Sequence, residues 1–188
     1  MLAFVGGHGL RLFWRVHTTS SQAFTFYRAG EKRGDIPADL QGGVVVHDHF
    51  LAYRGMDGVD HAFCNAHILR ELQALIEFEN EPWAELMRAM LLDANAAVNK
   101  ARAAGASTLA TKTIAVFVAR YWVAVRLGLA FHRKLPKLET KSPSRGRAKQ
   151  RPGHNLLERL KTFKTETLRF MTDFDVPFTN NWPSRTCA

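Results

Sequence analysis

The sequence predicts a mixed α/β core that carries a helical insertion. Three observations point there: strand-like alternation near the start, a valine run led by two glycines at Gly42–Asp48, and helical periodicity from Ile68 onwards.

Residues 10–28 alternate as strands do. Leu10 to His17 and Ala23 to Arg28 flank the polar cluster Thr18–Ser21, which reads as the turn of an antiparallel hairpin. A polar connection with a short helix around Asp35–Leu40 follows. Gly42-Gly43-Val44-Val45-Val46-His47-Asp48 then reads as a buried strand, because β-branched side chains suit a pleated surface. Ala62-Phe63-Cys64 predicts another short strand leading into a helix with Ile68, Leu69, Leu72, Leu75 and Ile76 on one face. A second helix is expected from about Pro82, with Asn80 as its cap, Gly105 as its stop, and a stripe of Trp83, Leu86, Met87, Met90, Leu91 and Val98. Thr111–His132 predicts a third. Lys134–Gly153 holds three prolines, two glycines, seven basic residues and one acid, Glu139, and reads as a flexible basic loop. Asn155 with Glu158 suggests a capping box, and Leu156, Leu160, Phe163, Thr167 and Met171 continue one helical face as far as Asp173–Pro177.

A chain of 188 residues predicts one domain, or one domain with a sizeable insertion. With 46% hydrophobic and 23% charged residues it can build an ordinary core, which excludes disorder by composition. Cys64 and Cys187 lie far apart and offer no disulfide framework, which fits a reducing, cytoplasmic setting. Met1–Val5 is apolar but lacks the charged flank of a signal peptide. The long apolar segment Thr113–Phe131 contains Arg120 and Arg126, so it reads as a largely buried helix of a soluble protein, with no membrane partner. The net charge of +9 is uneven: residues 131–188 hold thirteen basic and five acidic side chains, whereas the rest is close to balanced. That asymmetry suggests a polyanion, most simply nucleic acid, although a solvated basic surface has the same composition.

Two constellations could carry chemistry. Asp48 stands where a strand leaves its sheet, the place where open α/β sheets put their chemistry; a turn aspartate bonding its own backbone would look the same. Cys64 and His67 lie three residues apart, with His47, His49 and His61 near in sequence. A zinc site is conceivable, but four ligands are not defined by the pattern, and a Cys–His nucleophile lacks an orienting third group. A packed Cys64 and a hydrogen-bonded His67 remain the plainer alternative.

Val46-His47-Asp48-His49-Phe50 with Tyr53, the run His61 to Leu72, Gly153-His154-Asn155-Leu156-Leu157, Phe170-Met171 and Val176-Pro177-Phe178-Thr179-Asn180-Asn181 together resemble the insertion-sequence-66 family of transposases, over roughly residues 9–181. The resemblance implies a ribonuclease H-like mixed sheet with an all-helical insertion, divided as 1–61 core strands, 62–133 insertion, 134–154 basic linker and 155–188 C-terminal helix and tail. It implies an Asp-Asp-Glu enzyme that transposes DNA by metal-dependent cleavage and strand transfer. Two Mg²⁺ ions on three carboxylates would serve it, hard cations preferring oxygen ligands. Asp48 takes the position of the second aspartate, as catalyst and metal ligand. Cys64 and His67 match a signature whose expected role is support of the insertion, and Asn180 and Asn181 match the asparagine pair. DNA is the implied partner, a homo-oligomer is compatible, and a bacterial nucleoid is the implied setting. Lys134, Lys137, Lys141, Arg145, Arg147, Lys149 and Arg151 of the linker are the expected phosphate contacts, with Lys161, Lys164, Arg159 and Arg169 of the following helix.

The sequence departs from that pattern at both remaining acids. Gly6 stands where the first aspartate is expected and Ser184 where the glutamate should follow the asparagines, with Pro183 disturbing the helix that would carry it. Asp57, Asp60, Asp173 and Asp175 read as solvated turn acids rather than substitutes. The unrelated residues after Asn181 suggest a frameshift or truncation. The expectation is a catalytically impaired transposase remnant; the alternative is a non-catalytic DNA-binding fragment or regulator of transposition.

Overall fold

A computed structural model describes residues 15–20, 25–30, 42–49, 51–136, 138 and 150–180. The helix expected at Asp35–Leu40 lies outside them, as do Gly6, Asn181 and Ser184.

Strands β1 (Arg15–Ser20) and β2 (Thr25–Gly30) pair antiparallel, in register from Arg15↔Gly30 to Ser20↔Thr25. The hairpin is as expected, but its turn is not at Thr18–Ser21: Thr18, Thr19 and Ser20 are paired strand residues. Threonine is β-branched and fits a ladder as well as a loop. Gly42 and Gly43, at φ 73° and 75°, take left-handed backbone that other residues resist, and lead into β3 (Val44–His47). β3 pairs parallel with β4 (Asp60–Phe63), in register from Val44↔Asp60 to His47↔Phe63. Residues 48–59, with the four-residue helix α1 (Leu51–Arg54), supply the crossover that a parallel pair requires. The Cys64 N–H donates to His47 O at 2.9 Å and carries the ladder one step further.

Helix α2 (Asn65–Glu79) buries Ile68, Leu72 and Leu75, as the spacing predicts. It ends at Asn80, in the left-handed region at φ 50°, so Asn80 closes α2 rather than capping its successor. α3 (Pro82–Ala103) starts at its proline instead, since Pro82 has no N–H to satisfy in a first turn. Its N-cap, Glu81, makes no capping bond. The carboxylate is buried and accepts from Trp83 Nε1 at 2.5 Å and lies 2.9 Å from His132 Nε2. Trp83, Met87, Met90, Leu91 and Val98 are buried as expected, but Leu86 is 49% exposed. Gly105, at φ 81°, follows the helix end as its stop.

Helix α4 (Thr111–Lys134) buries Phe117, Tyr121, Ala124, Val125, Gly128 and His132. The expected largely buried helix is corrected: only 28% of its most apolar 18-residue window is fully buried, with Ile114, Val118, Trp122, Leu129 and Phe131 partly buried against the core. α5 (Pro152–Thr162) begins at Pro152, so Asn155 lies inside the helix and the expected capping box does not form. The expected single helix is broken at Phe163 (φ −113°, ψ 40°), after which come α6 (Lys164–Leu168) and a 3-10 turn at Arg169–Met171.

One core unites β4 with the helices from α2 onwards. Phe63, Leu72, Trp83, Met87, Leu91, Tyr121, Leu156, Leu160, Met171 and Phe174 belong to a single buried cluster. Full burial of such a side chain contributes about 1.5–3 kcal/mol. A Cβ on Gly128 would meet Leu157 at 2.6 Å and Trp83 at 2.8 Å, so only glycine lets α3, α4 and α5 approach there. Tyr121 Oη donates to Leu160 O at 2.7 Å, and burial raises its pKa. The described fold is therefore mixed α/β and mostly helical, with two separate two-stranded sheets rather than one mixed sheet.

Candidate functional site

Asp48 is the first residue after β3, half-buried at the carboxyl end of the parallel pair. Beside it opens a cavity of about 240 Å³. Phe63 at the end of β4 forms one wall, and Leu156, Arg159 and Leu160 of α5 form another. The start of α2 supplies a third: Cys64, His67, Ile68 and Glu71 follow each other at helical spacing and all line it.

Imidazoles dominate the polar lining. His49 packs edge-on between Phe63 (4.9 Å between ring centroids) and Phe163 (5.1 Å), and Arg54 lies 4.3 Å over the same Phe163 ring. Burial first, then the positive charges of Arg159 and Arg54, push the His49 pKa down to about 4, so the ring is neutral at pH 7. Among the described residues, its buried Nε2 has no hydrogen-bond partner, and neither has Nδ1 of His67. His47 is buried, and its Nε2 lies 3.1 Å from His61 Nδ1, while His61 Nε2 lies 3.3 Å from Met56 O. His47 Nδ1 faces Asp48 O. Both ends of this imidazole pair face carbonyls, so two neutral rings can make two of the three bonds, and a third needs an added proton. Burial lowers the His47 pKa and opposes that proton.

The C-terminal motif docks on the same place. Asn65 N–H donates to Phe178 O at 3.0 Å, and the Cys64 thiol accepts the Asn180 N–H at 3.4 Å. Cys64 thereby connects the β3–β4 pair to the chain leading into the asparagine pair, a tie across 116 residues. Asn65 also donates from Nδ2 to Thr167 O at 3.1 Å. Cys64 and His67 both face the cavity, but no three His, Cys, Asp or Glu side chains among the described residues gather into a metal-binding group.

Of the expected phosphate contacts, Lys134 is exposed in the last turn of α4 and Lys161 is exposed on α5, 3.9 Å from Glu158. Lys164 opens α6, and Arg151 donates to Pro136 O at 2.8 Å. Lys137, Lys141, Arg145, Arg147 and Lys149 lie outside the described residues. Arg159 and Arg169 are engaged by the fold itself. Arg159 pairs with Glu71; Arg169 donates to His61 O at 2.9 Å and pairs with Asp60 at 3.2 Å. Asp60 opens β4 instead of lying in a loop, and Asp173 accepts the Asp175 N–H at 2.9 Å as a turn acid.

Sequence reasoning missed the Glu71–Arg159 pair and the His47–His61 pair. Glu71 was within reach, because it lies one helical turn beyond His67 on the same face; Arg159 is 88 residues away and no local pattern announces it. The donors at the cavity do not suit a pair of hard cations. Asp48 contributes a carboxylate, Glu71 is already matched to Arg159, the Thr167 hydroxyl donates to Phe163 O, and the other donors are imidazoles and a thiol.

The fold is that of an α/β protein with a carboxylate at the carboxyl end of its parallel strands and distant segments drawn to it, the edge where open α/β sheets usually place a ligand. The family model of the IS66 family transposases matches residues 8–185, and the chain belongs to that family. No curated protein and no solved structure matches it.

Proposed function

We propose that this member of the transposase family binds DNA but has lost strand cleavage and transfer. The observation that carries this reading is that Gly6 and Ser184 occupy the positions expected for the two acidic partners of Asp48, while the one other carboxylate lining the cavity, Glu71, is paired with Arg159. A single aspartate cannot hold two ions on the attacking and leaving oxygens of an in-line displacement. Mg²⁺, the metal that the family implies, is therefore bound weakly at Asp48. The β3–β4 pair and the β1–β2 hairpin are read as parts of a ribonuclease H-like core, with 62–133 inserted, 134–154 as linker and 155–188 as the closing helix and tail.

DNA binding is assigned to the basic final third, with Lys134, Arg151, Lys161 and Lys164 joined by Lys137, Lys141, Arg145, Arg147 and Lys149. The setting is the bacterial cytoplasm, on the nucleoid. A non-catalytic regulator of transposition is the second reading, since it needs the same binding and no cleavage.

The test has two arms. Fluorescence anisotropy with a labelled duplex carrying the element's ends should show binding whose logarithm falls with the logarithm of salt, by about 0.9 per phosphate neutralised. The same duplex with Mg²⁺ should stay uncut. Binding that is absent or indifferent to salt overturns the DNA assignment, and nicking that disappears in Asp48→Ala overturns the loss of catalysis.

A further inference from the structure

Helix α4 is long and apolar enough to span a bilayer, yet only 28% of its apolar window is fully buried. Val116 is 59% exposed, Val123 44% and Leu127 49%. With exposed Ala119 and half-buried Ala130, these residues recur at steps of three, four, four and three residues, a stripe by which one helix packs along another. α3 widens the stripe. Arg120 of α4 pairs with Asp93 of α3 at 2.6 Å, and Trp83 meets α4 at Gly128, so the two helices run antiparallel. Two turns from that ion pair, Leu86 lies before Asp93 and Leu127 after Arg120, which brings both to the same end of the pair of helices.

We propose that this α3–α4 face is a self-association surface that takes a second copy of the chain through a two-fold axis. Its charge layout favours that occupant. A two-fold contact brings a patch against itself, and this patch carries one acid and one base at its middle, so Asp93 of each copy can meet Arg120 of the other. Apolar residues flank the ion pair and are covered in the same contact. A lipid surface fits worse, because it would force Arg120 and Asp93 out of water with no new counter-charge.

Sedimentation velocity on the full chain over roughly 1–100 µM should show a monomer–dimer equilibrium. Val123→Asp with Leu127→Asp, both at exposed sites, should weaken it by about tenfold or more while circular dichroism stays that of the parent. Asp93→Arg and Arg120→Asp should each be monomeric alone, and mixing the two should restore a dimer, because only pairs formed between copies then match. A parent chain that stays monomeric, a mixture that does not associate, or sedimentation with phosphatidylcholine–phosphatidylglycerol vesicles that the double variant abolishes would each overturn the proposal.

Discussion

Gly153 shows how much a single missing side chain can decide. A Cβ there would lie 2.4 Å from Glu81 Oε2 and 2.5 Å from Oε1, atoms held in place by Trp83 and His132. Gly153→Ala should therefore destabilise the protein by about 2–4 kcal/mol in urea melts, through overpacking against a buried acid that has nowhere to move. Cys64→Ala should cost about 1–3 kcal/mol, because it opens a small void and leaves the Asn180 N–H without its acceptor; Cys64→Ser, which keeps an acceptor, should cost less. His49 sets a pH dependence. Its pKa is near 4 in the fold against 6.5 when unfolded, so its contribution is intact above pH 6.5 and is lost as pH falls towards 4. His49→Gln should flatten the stability profile in that window, by about 1 kcal/mol after allowing for the solvent that reaches this half-buried ring. At this scale the sequence was informative about identities and poor on partners. Asp48, Cys64 and His67 stand out by position and spacing. The partners of Cys64 and Glu71, Asn180 and Arg159, are remote in the chain, and tertiary packing alone brings them there.

At the scale of elements, patterning located every described strand and helix longer than a single turn, because period two and period 3.6 are set by which face is buried. Their boundaries were less legible, and the errors share a cause. Asn80 and Asn155 both suit an N-cap, since asparagine favours that position; in each case a nearby proline, Pro82 or Pro152, fixes where the helix starts. Asn80 instead uses its tolerance of left-handed backbone to end α2. The break at Phe163 was invisible, because Leu156, Leu160, Phe163 and Thr167 keep a helical period across it. The junction of α4 with α5 gives a test. Tyr121→Phe removes only the hydroxyl that donates to Leu160 O, and should lower stability by about 1 kcal/mol with little change in the slope of urea unfolding.

For the whole molecule, charge and hydropathy gave different qualities of information. The excess of thirteen basic over five acidic side chains at 131–188 is a property of composition and needs no fold to be read. The exposure of α4 could not be read that way. Its composition suits burial, and only the arrangement of α3 and α5 around it reveals that, among the described residues, one face is left exposed. Likewise the sequence names one acid of an expected three, while the structure adds what surrounds it: a neutral His49, a buried His47 and the Glu71–Arg159 pair. Millimolar Mg²⁺ should accordingly leave the melting temperature unchanged, whereas a site filled well above its dissociation constant would raise it by mass action.

The most direct measurement is an end-labelled nicking and joining assay on duplex DNA carrying the element's ends, with Mg²⁺ or Mn²⁺, comparing the parent chain with Asp48→Ala under conditions where both bind. Intact DNA is expected from both proteins; metal-dependent cleavage by the parent that Asp48→Ala abolishes would contradict the loss of catalysis.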